Sequence, residues 1–204
     1  QLTTMLPFFI IMAMLSAAMN AALDTTAGER ERGSLEPLLA LPASPWALVL
    51  GKWAAVACLG MLIAVLNSLS FLPAQALLRS DTLQAMFQFG LREVGGFLAV
   101  LLPLAAALSA VLMAVAIRCK THKEAQANGT VVVLLVSLMP LLSLFHPDSQ
   151  APWMLWVPAL AQFTLMGRVL KGEGLPLYDA ALPLLLSVGL TALCLALVTR
   201  MLRR

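Results

Sequence analysis

WALVLGKWAAVACLGMLIAVLNSLSFL, residues 46–72, carries one charge, Lys52, in a run otherwise built almost wholly from apolar and small residues. A helix that crosses a bilayer needs about 20 mostly apolar residues, and this run is long enough. Its apolar residues do not alternate with polar ones, as the strands of a membrane barrel do. An isolated strand would leave its backbone groups unpaired in lipid, so the run reads as a helix. Composition extends the reading to the whole chain: of 204 residues, 61% are hydrophobic and 11% charged. Soluble domains carry about 45–50% apolar and about 25% charged residues. A soluble core of this length could not hide so much apolar surface, whereas lipid accepts it.

Four further stretches, 5–23, 94–117, 127–145 and 180–199, have the same character. The apolar part of 127–145 is short, and the residues from Ala125 onward extend it. The expected fold is therefore all-α, a polytopic helical membrane protein with five spans in a single transmembrane domain over 1–204. The connections differ. Residues 24–45 are charged. Residues 73–93 are mildly amphipathic, with Ser80 as a cap for a short helix carrying Leu83, Met86 and Phe87. Residues 118–124 are short and basic. Residues 146–178 hold Pro147, Pro152, Pro158 and Pro176, with Trp153 and Trp156 suited to the headgroup layer. Within that connection PALAQFTLMGRV, 158–169, reads as a helix too short to cross, so interfacial or re-entrant helices are expected.

Charge sets orientation. Arg30, Arg32, Lys52, Arg118, Lys120, Lys123, Arg200, Arg203 and Arg204 fall on one side, which is 9 of the 13 basic residues; Arg79, Arg92, Arg168 and Lys171 fall on the other. Basic connections stay in the cytoplasm. The expectation is a multi-pass protein of the bacterial inner membrane, with Gln1 outside and the C-terminus cytoplasmic. An outside start without a signal leads us to expect another span before residue 1. The net charge of +3 belongs to this sidedness and not to nucleic acid.

Several chemistries find no support. Cys58, Cys119 and Cys194 form no CxxC pair, and His122 and His146 no HExxH. GxxxxGK[ST] and GxSxG are absent, which speaks against nucleotide binding by this chain and against a serine hydrolase. No acidic or basic side chain falls at the centre of a span, where ion-coupled carriers need one. The polar residues inside spans are Asn20, Asn67, Ser68, Ser70, Asn128, Ser137, Ser187 and Thr191. Of these, Asn20, Asn67, Ser68 and Asn128 are candidate pathway residues, because they offer oxygen ligands; the plainer role for each is an interhelical hydrogen bond. Ala13, Ala17 and Ala21, and likewise Ala106, Ala110 and Ala114, recur at four-residue spacing, which lets helices pack closely.

The first charged connection carries the most information: DTTAGERERGSLEPLLALPASPWALVLGKW, 24–53. Glu29, Arg30, Glu31 and Arg32 form a mixed-charge cluster that Gly33 breaks. Ser34 is placed to cap a following helix, with Glu36 in its first turn and Pro37 tolerable there. Leu35, Leu38, Leu39 and Leu41 make a short apolar ridge that Pro42 ends. Ser44 and Pro45 start the next helix as cap and first residue. Lys52 lies near the interface, where its stem can snorkel. A flexible loop would not need such punctuation, but an element that docks into a groove of a partner does.

AGERERGSLEPLL with Pro42, Gly51 and Lys52 resembles the signature loop of type-2 ABC transporter permeases, and most closely the NatB-like, sodium-export branch. The spans that follow, the basic turn and the proline-rich outer connection fit in order. The resemblance implies a transmembrane subunit that is not itself an enzyme. It implies a cytoplasmic ABC ATPase partner carrying the ATP and magnesium, and a second permease copy in a homodimer or heterodimer. It implies coupling to the ATPase through Gly28, Glu29, Arg30, Glu31, Arg32, Gly33, Ser34, Leu35, Glu36, Leu38, Leu39 and Pro42. The family has six spans, so these five are expected to be the last five. Sodium is the implied substrate; lipids, drugs and polysaccharides are exported by related permeases. An intramembrane hydrolase and a non-transporting scaffold are the competing functions.

Overall fold

The computed structural model describes residues 2–34, 37, 44–77, 91–145, 156–170 and 177–202. The described residues are helices joined by short turns. The helices are α1 (Leu2–Leu23), a π turn (Asp24–Gly28), α2 (Glu29–Glu31), α3 (Pro45–Leu77), α4 (Leu91–Ala116), α5 (His122–Phe145), α6 (Pro158–Leu170) and α7 (Leu177–Leu202). Four of the long helical runs are long and apolar enough to cross a membrane: Leu6–Glu31, Pro45–Phe71, Val94–Ala116 and Ala180–Leu202. Stretch 127–145 lies within α5, a helix of 24 residues.

Central to the bundle is α4, which packs against α1, α3, α5, α6 and α7. Its Phe97, Leu101, Leu104 and Met113 are buried against Ile10, Met14 and Ala18 of α1, Val56 of α3, and Phe163 and Met166 of α6. Further along, Ala110 and Ile117 meet Val49 of α3 and Cys194, Leu195 and Val198 of α7. The Trp53 indole N–H donates to the Ala106 carbonyl at 2.9 Å, joining α3 to α4. Lipid is as apolar as leucine, so such helices associate through close packing and a few polar contacts. Small residues permit it. A Cβ on Gly60 would lie 3.4 Å from Ala18 Cβ, and one on Gly129 would lie 3.2 Å from Met19 Sδ.

The alanine stripes resolve unequally. Ala110 is fully buried in the bundle. On α1 the innermost small residues are Ala18 and Ala22, while Ala13, Ala17 and Ala21 are only half-buried. The exposed faces of α3, α5 and α7 carry large apolar side chains, among them Leu62 and Leu66, Leu134 and Leu135, and Leu185 and Leu193. These suit contact with lipid tails.

Three boundaries differ from expectation. The first helix does not stop at Leu23 but continues, through the π turn, to Glu31. The connection expected over 24–45 therefore starts with two turns of helix. At the other end of α3 the helix runs through Pro73 to Leu77, as membrane helices tolerate proline. The basic connection shrinks to the turn between Ala116 and His122, because Thr121 caps α5 and Glu124 reaches back to the residue before the cap. The Glu124 N–H donates to Thr121 Oγ1 at 3.2 Å, and the Lys120 N–H donates to Glu124 Oε2 at 3.0 Å.

The short helix over 158–169 is present as α6, 13 residues long. At 1.5 Å per residue it spans roughly 20 Å, short of a hydrocarbon core about 30 Å thick. It contacts α1, α4, α5 and α7, and Leu160, Ala161, Gln162, Phe163, Leu165 and Met166 are buried. That is the packing of an element inserted into the bundle. Trp156, just before it, is 66% exposed. Ser80, Leu83, Met86, Phe87 and Trp153 lie outside the described residues.

Candidate functional site

The charged cluster sits where α1, α3, α4 and α5 come together at one end of the bundle, and each of three consecutive side chains binds a different element. A π turn precedes it. Such turns shift main-chain bonding from i−4 to i−5 and are frequent at functional sites. Here Thr25 Oγ1 donates to the Ala21 carbonyl at 2.7 Å and Thr26 Oγ1 to the Ala22 carbonyl, filling acceptors within α1. The extra residue re-phases the helix, so that the residues of α2 emerge at the angles their partners require. Gly28 is buried, and a Cβ there would lie 3.4 Å from the Leu23 carbonyl oxygen and 3.9 Å from His122 Nδ1. These are ordinary contact distances, so the start of α5 packs directly on this backbone.

Glu29 forms an ion pair with Lys52 of α3, and Lys52 Nζ also donates to the Thr25 carbonyl at 2.6 Å. The side chains are 12% exposed for Lys52 and 27% for Glu29, so this pair is shielded far more than an ordinary surface pair. A cavity of about 20 Å³ lies beside it, lined by Thr26, Lys52, Val49 and Ile117 among others. That is room for a single water.

Arg30 Nη1 donates to the carbonyls of Ile117 at 3.0 Å and Cys119 at 3.2 Å. Both carbonyls lie just past the end of α4, where a helix leaves acceptors unpaired and where its dipole favours a cation. Glu31 does the converse at the start of α5: its Oε2 accepts the His122 N–H at 2.9 Å. A helix N-terminus leaves donors unpaired and favours an anion. The alternation Glu-Arg-Glu thus matches, in order, a lysine, a helix C-terminus and a helix N-terminus.

Gly33 closes the element. Its φ of +70° is left-handed. The Ser34 N–H donates to the Glu29 carbonyl at 3.0 Å and the Gly33 N–H to the Arg30 carbonyl at 3.2 Å, the paired bonds of a Schellman cap. Ser34 was expected to cap the helix after it. Its Oγ donates backward to the Glu29 carbonyl at 3.2 Å, and the helix it was expected to cap lies outside the described residues. Arg32 is exposed, and its side chain has no hydrogen bond or ion pair among the described residues. Ser44 Oγ accepts the Ala47 N–H at 3.3 Å, capping α3 as expected, with Pro45 first in the helix. Leu35, Glu36, Leu38, Leu39 and Pro42 lie outside the described residues.

The four candidate pathway residues are not brought into one site by any hydrogen bond. Ser68 is buried and donates to the Ala64 carbonyl of its own helix at 2.7 Å. Asn128 Nδ2 donates to Cys119 Sγ at 3.3 Å. Asn20 is exposed and Asn67 half-buried. Asn20 shares its face of α1 with Ser16, Ala13 and Ala17, a surface smaller and more polar than the leucine-rich faces elsewhere.

Sequence reasoning missed the partners of the charged cluster. Lys52 and Glu29 are 23 residues apart, Arg30 and Ile117 are 87 apart, and no local pattern links them. It also missed Gln162. This side chain is 1% exposed, and its Nε2 donates to Ser187 Oγ at 3.5 Å. Among the described residues, Gln162 Oε1 is buried without a partner, as is Ser109 Oγ. An amide inside an otherwise apolar run was the available signal. Among the described residues no group of three or more His, Cys, Asp or Glu could hold a metal.

Apolar helices with lipid-suited outer faces and polar contacts gathered at one end make this a multi-pass membrane protein. Residues 1–200 match the family described as ABC-2 family transporter protein. The chain belongs to that family. It is similar to the ABC transporter permease protein NatB of Bacillus subtilis (strain 168), with 36% identity over 155 residues, covering 74% of this chain and 39% of that relative.

Proposed function

We propose that the chain is the membrane-spanning part of a permease subunit in an ATP-driven exporter, worked by a separate cytoplasmic ATPase that docks on residues 28–42. The observation that carries this reading is the junction at Glu29, Arg30 and Glu31. It secures the ends of α3, α4 and α5 to one short segment, and leaves Arg32, Gly33 and Ser34 exposed beyond it. A segment built in this way can receive a push and distribute it.

Under this reading the junction faces the cytoplasm of a bacterium, the C-terminus lies on the same side, and α5 supplies a fifth crossing. Substrate passes between two permease copies, with the Ser16 and Asn20 face of α1 toward the pathway. Polar groups exposed on a helix are costly against lipid, and a water-filled passage relieves that cost. The NatB-like resemblance and the oxygen-bearing side chains support sodium as the substrate.

The test is ATP hydrolysis by the reconstituted full-length permease with its ATPase, titrated with sodium and, separately, with hydrophobic drugs and lipids. Stimulation by sodium alone supports sodium export. Stimulation only by drugs or lipids reassigns the substrate. Failure of the ATPase to bind the permease overturns the reading.

A further inference from the structure

The α4–α5 turn is distant in sequence from the segment that follows Gly33. Movement of that segment reaches α3 along the chain itself, through Pro45. It has no such short route to Ile117, Cys119 or His122. The direct polar links run from Arg30 to the Ile117 and Cys119 carbonyls and from the His122 N–H to Glu31. Packing of Leu23 and Ala27 against Ala116, Cys119 and Ala125 backs those links but is apolar and non-directional.

We propose that Arg30 and Glu31, braced by the Glu29–Lys52 pair, are positioning residues that transmit ATPase movement to the α4–α5 turn, and are not themselves the charges that bind the ATPase. This rests on the reading of the chain as an ATPase-coupled permease. Each of the three side chains is already engaged by this chain's own groups, two of them at helix ends. Arg30 and Glu31 are exposed as well, but their Nη1 and Oε2 atoms are committed to the two helix ends, so a partner reaching either side chain would share it with the α4–α5 turn. Of the four described charges in 29–32, Arg32, exposed and without a partner among the described residues, is the one left for docking.

The test uses the full-length permease with its ATPase in lipid nanodiscs, comparing Arg30→Met, Arg30→Lys and Arg32→Met. ATPase affinity is measured, together with hydrogen exchange before and after trapping with ATP and vanadate. In the wild type, trapping changes exchange in 24–34 and in 117–125 together. Arg30→Met is expected to keep ATPase affinity and the response of 24–34, while the response of 117–125 falls about tenfold. Arg30→Lys, which keeps one donor group, restores part of it. Arg32→Met is expected to lose affinity, with both responses intact once the ATPase is saturating.

A full response of 117–125 in Arg30→Met overturns the proposal. So does a loss of affinity in Arg30→Met that matches Arg32→Met. If Arg30→Met does not fold, Arg30→Lys carries the same comparison. If the wild-type permease binds no ATPase, the functional reading fails instead. The internal tie is then judged on the permease alone: unchanged exchange at 117–122 in Arg30→Lys overturns it, and an increase supports it.

Discussion

Lys52 holds two partners on the first helical run: the carboxylate of Glu29 and, at 2.6 Å, the carbonyl oxygen of Thr25. One acceptor lies within the π turn and the other directly after it, so one ammonium group ties the irregular stretch to the start of α3. Removing it leaves a shielded carboxylate without its cation. Lys52→Met is expected to lower stability by about 2 kcal/mol, since hydrogen bonds to charged groups are worth about 1.5–3 kcal/mol. Lys52→Arg should lose less than half of that. Thermal unfolding in one detergent, followed by tryptophan fluorescence, gives both values; equal melting temperatures for Lys52→Met and wild type would contradict the assignment.

Gly33 pays no steric penalty for its left-handed backbone, whereas alanine would. A Cβ at this position meets nothing within 4 Å, so the cost is purely conformational. Gly33→Ala is expected to destabilise by about 1–2 kcal/mol. Gly33→Asn should cost less, because asparagine visits this region more readily. The ranking Gly, Asn, Ala in melting temperature checks it, and Ala equal to Gly would remove the cap from the account.

Trp53 offers a test inside the bundle. Its indole N–H reaches the Ala106 carbonyl of α4, and phenylalanine keeps most of the packing without the donor. Trp53→Phe is expected to cost about 1 kcal/mol. A double-mutant cycle is impractical because the acceptor is main chain, so the readout is unfolding free energy alone.

Much of the architecture was legible because lipid imposes simple rules. Long apolar runs had to be helices, and Ser44-Pro45 had to start one. The short helix at 158–169 was legible from its length. What escaped was everything that depends on a partner far along the chain. Glu29, Arg30 and Glu31 look like a solvated charge cluster until α3, α4 and α5 are seen around them. The backward bond of Ser34 escaped too, because it depends on the Schellman closure that places its backbone over the Glu29 carbonyl. The partners of Lys52 escaped because its anion, Glu29, and its carbonyl, Thr25, lie on another helical run.

Gln162 supplies a prediction of opposite sign. A buried amide oxygen without a partner carries a desolvation cost of about 1–3 kcal/mol. Among the described residues its side-chain hydrogen bond, at 3.5 Å to Ser187, is weak, and Ser187 Oγ keeps its own bond to the Pro183 carbonyl at 2.8 Å. Gln162→Leu is therefore expected to leave stability unchanged or to raise it. A loss above about 1 kcal/mol would mean that Oε1 has a partner in the working protein, such as an ordered water.

The closure at Gly33 has a consequence for engineering. Upstream of it, three charged side chains are committed to this chain's own helices; at it, the helix carbonyls are satisfied and the Cβ position is open. The two sides differ in the groups they engage, although the Ser34 N–H to Glu29 carbonyl bond keeps them mechanically joined. Residues 34–43 of a related permease could therefore be grafted after Gly33 to change which ATPase is recruited, with the anchorage of the helix ends left undisturbed.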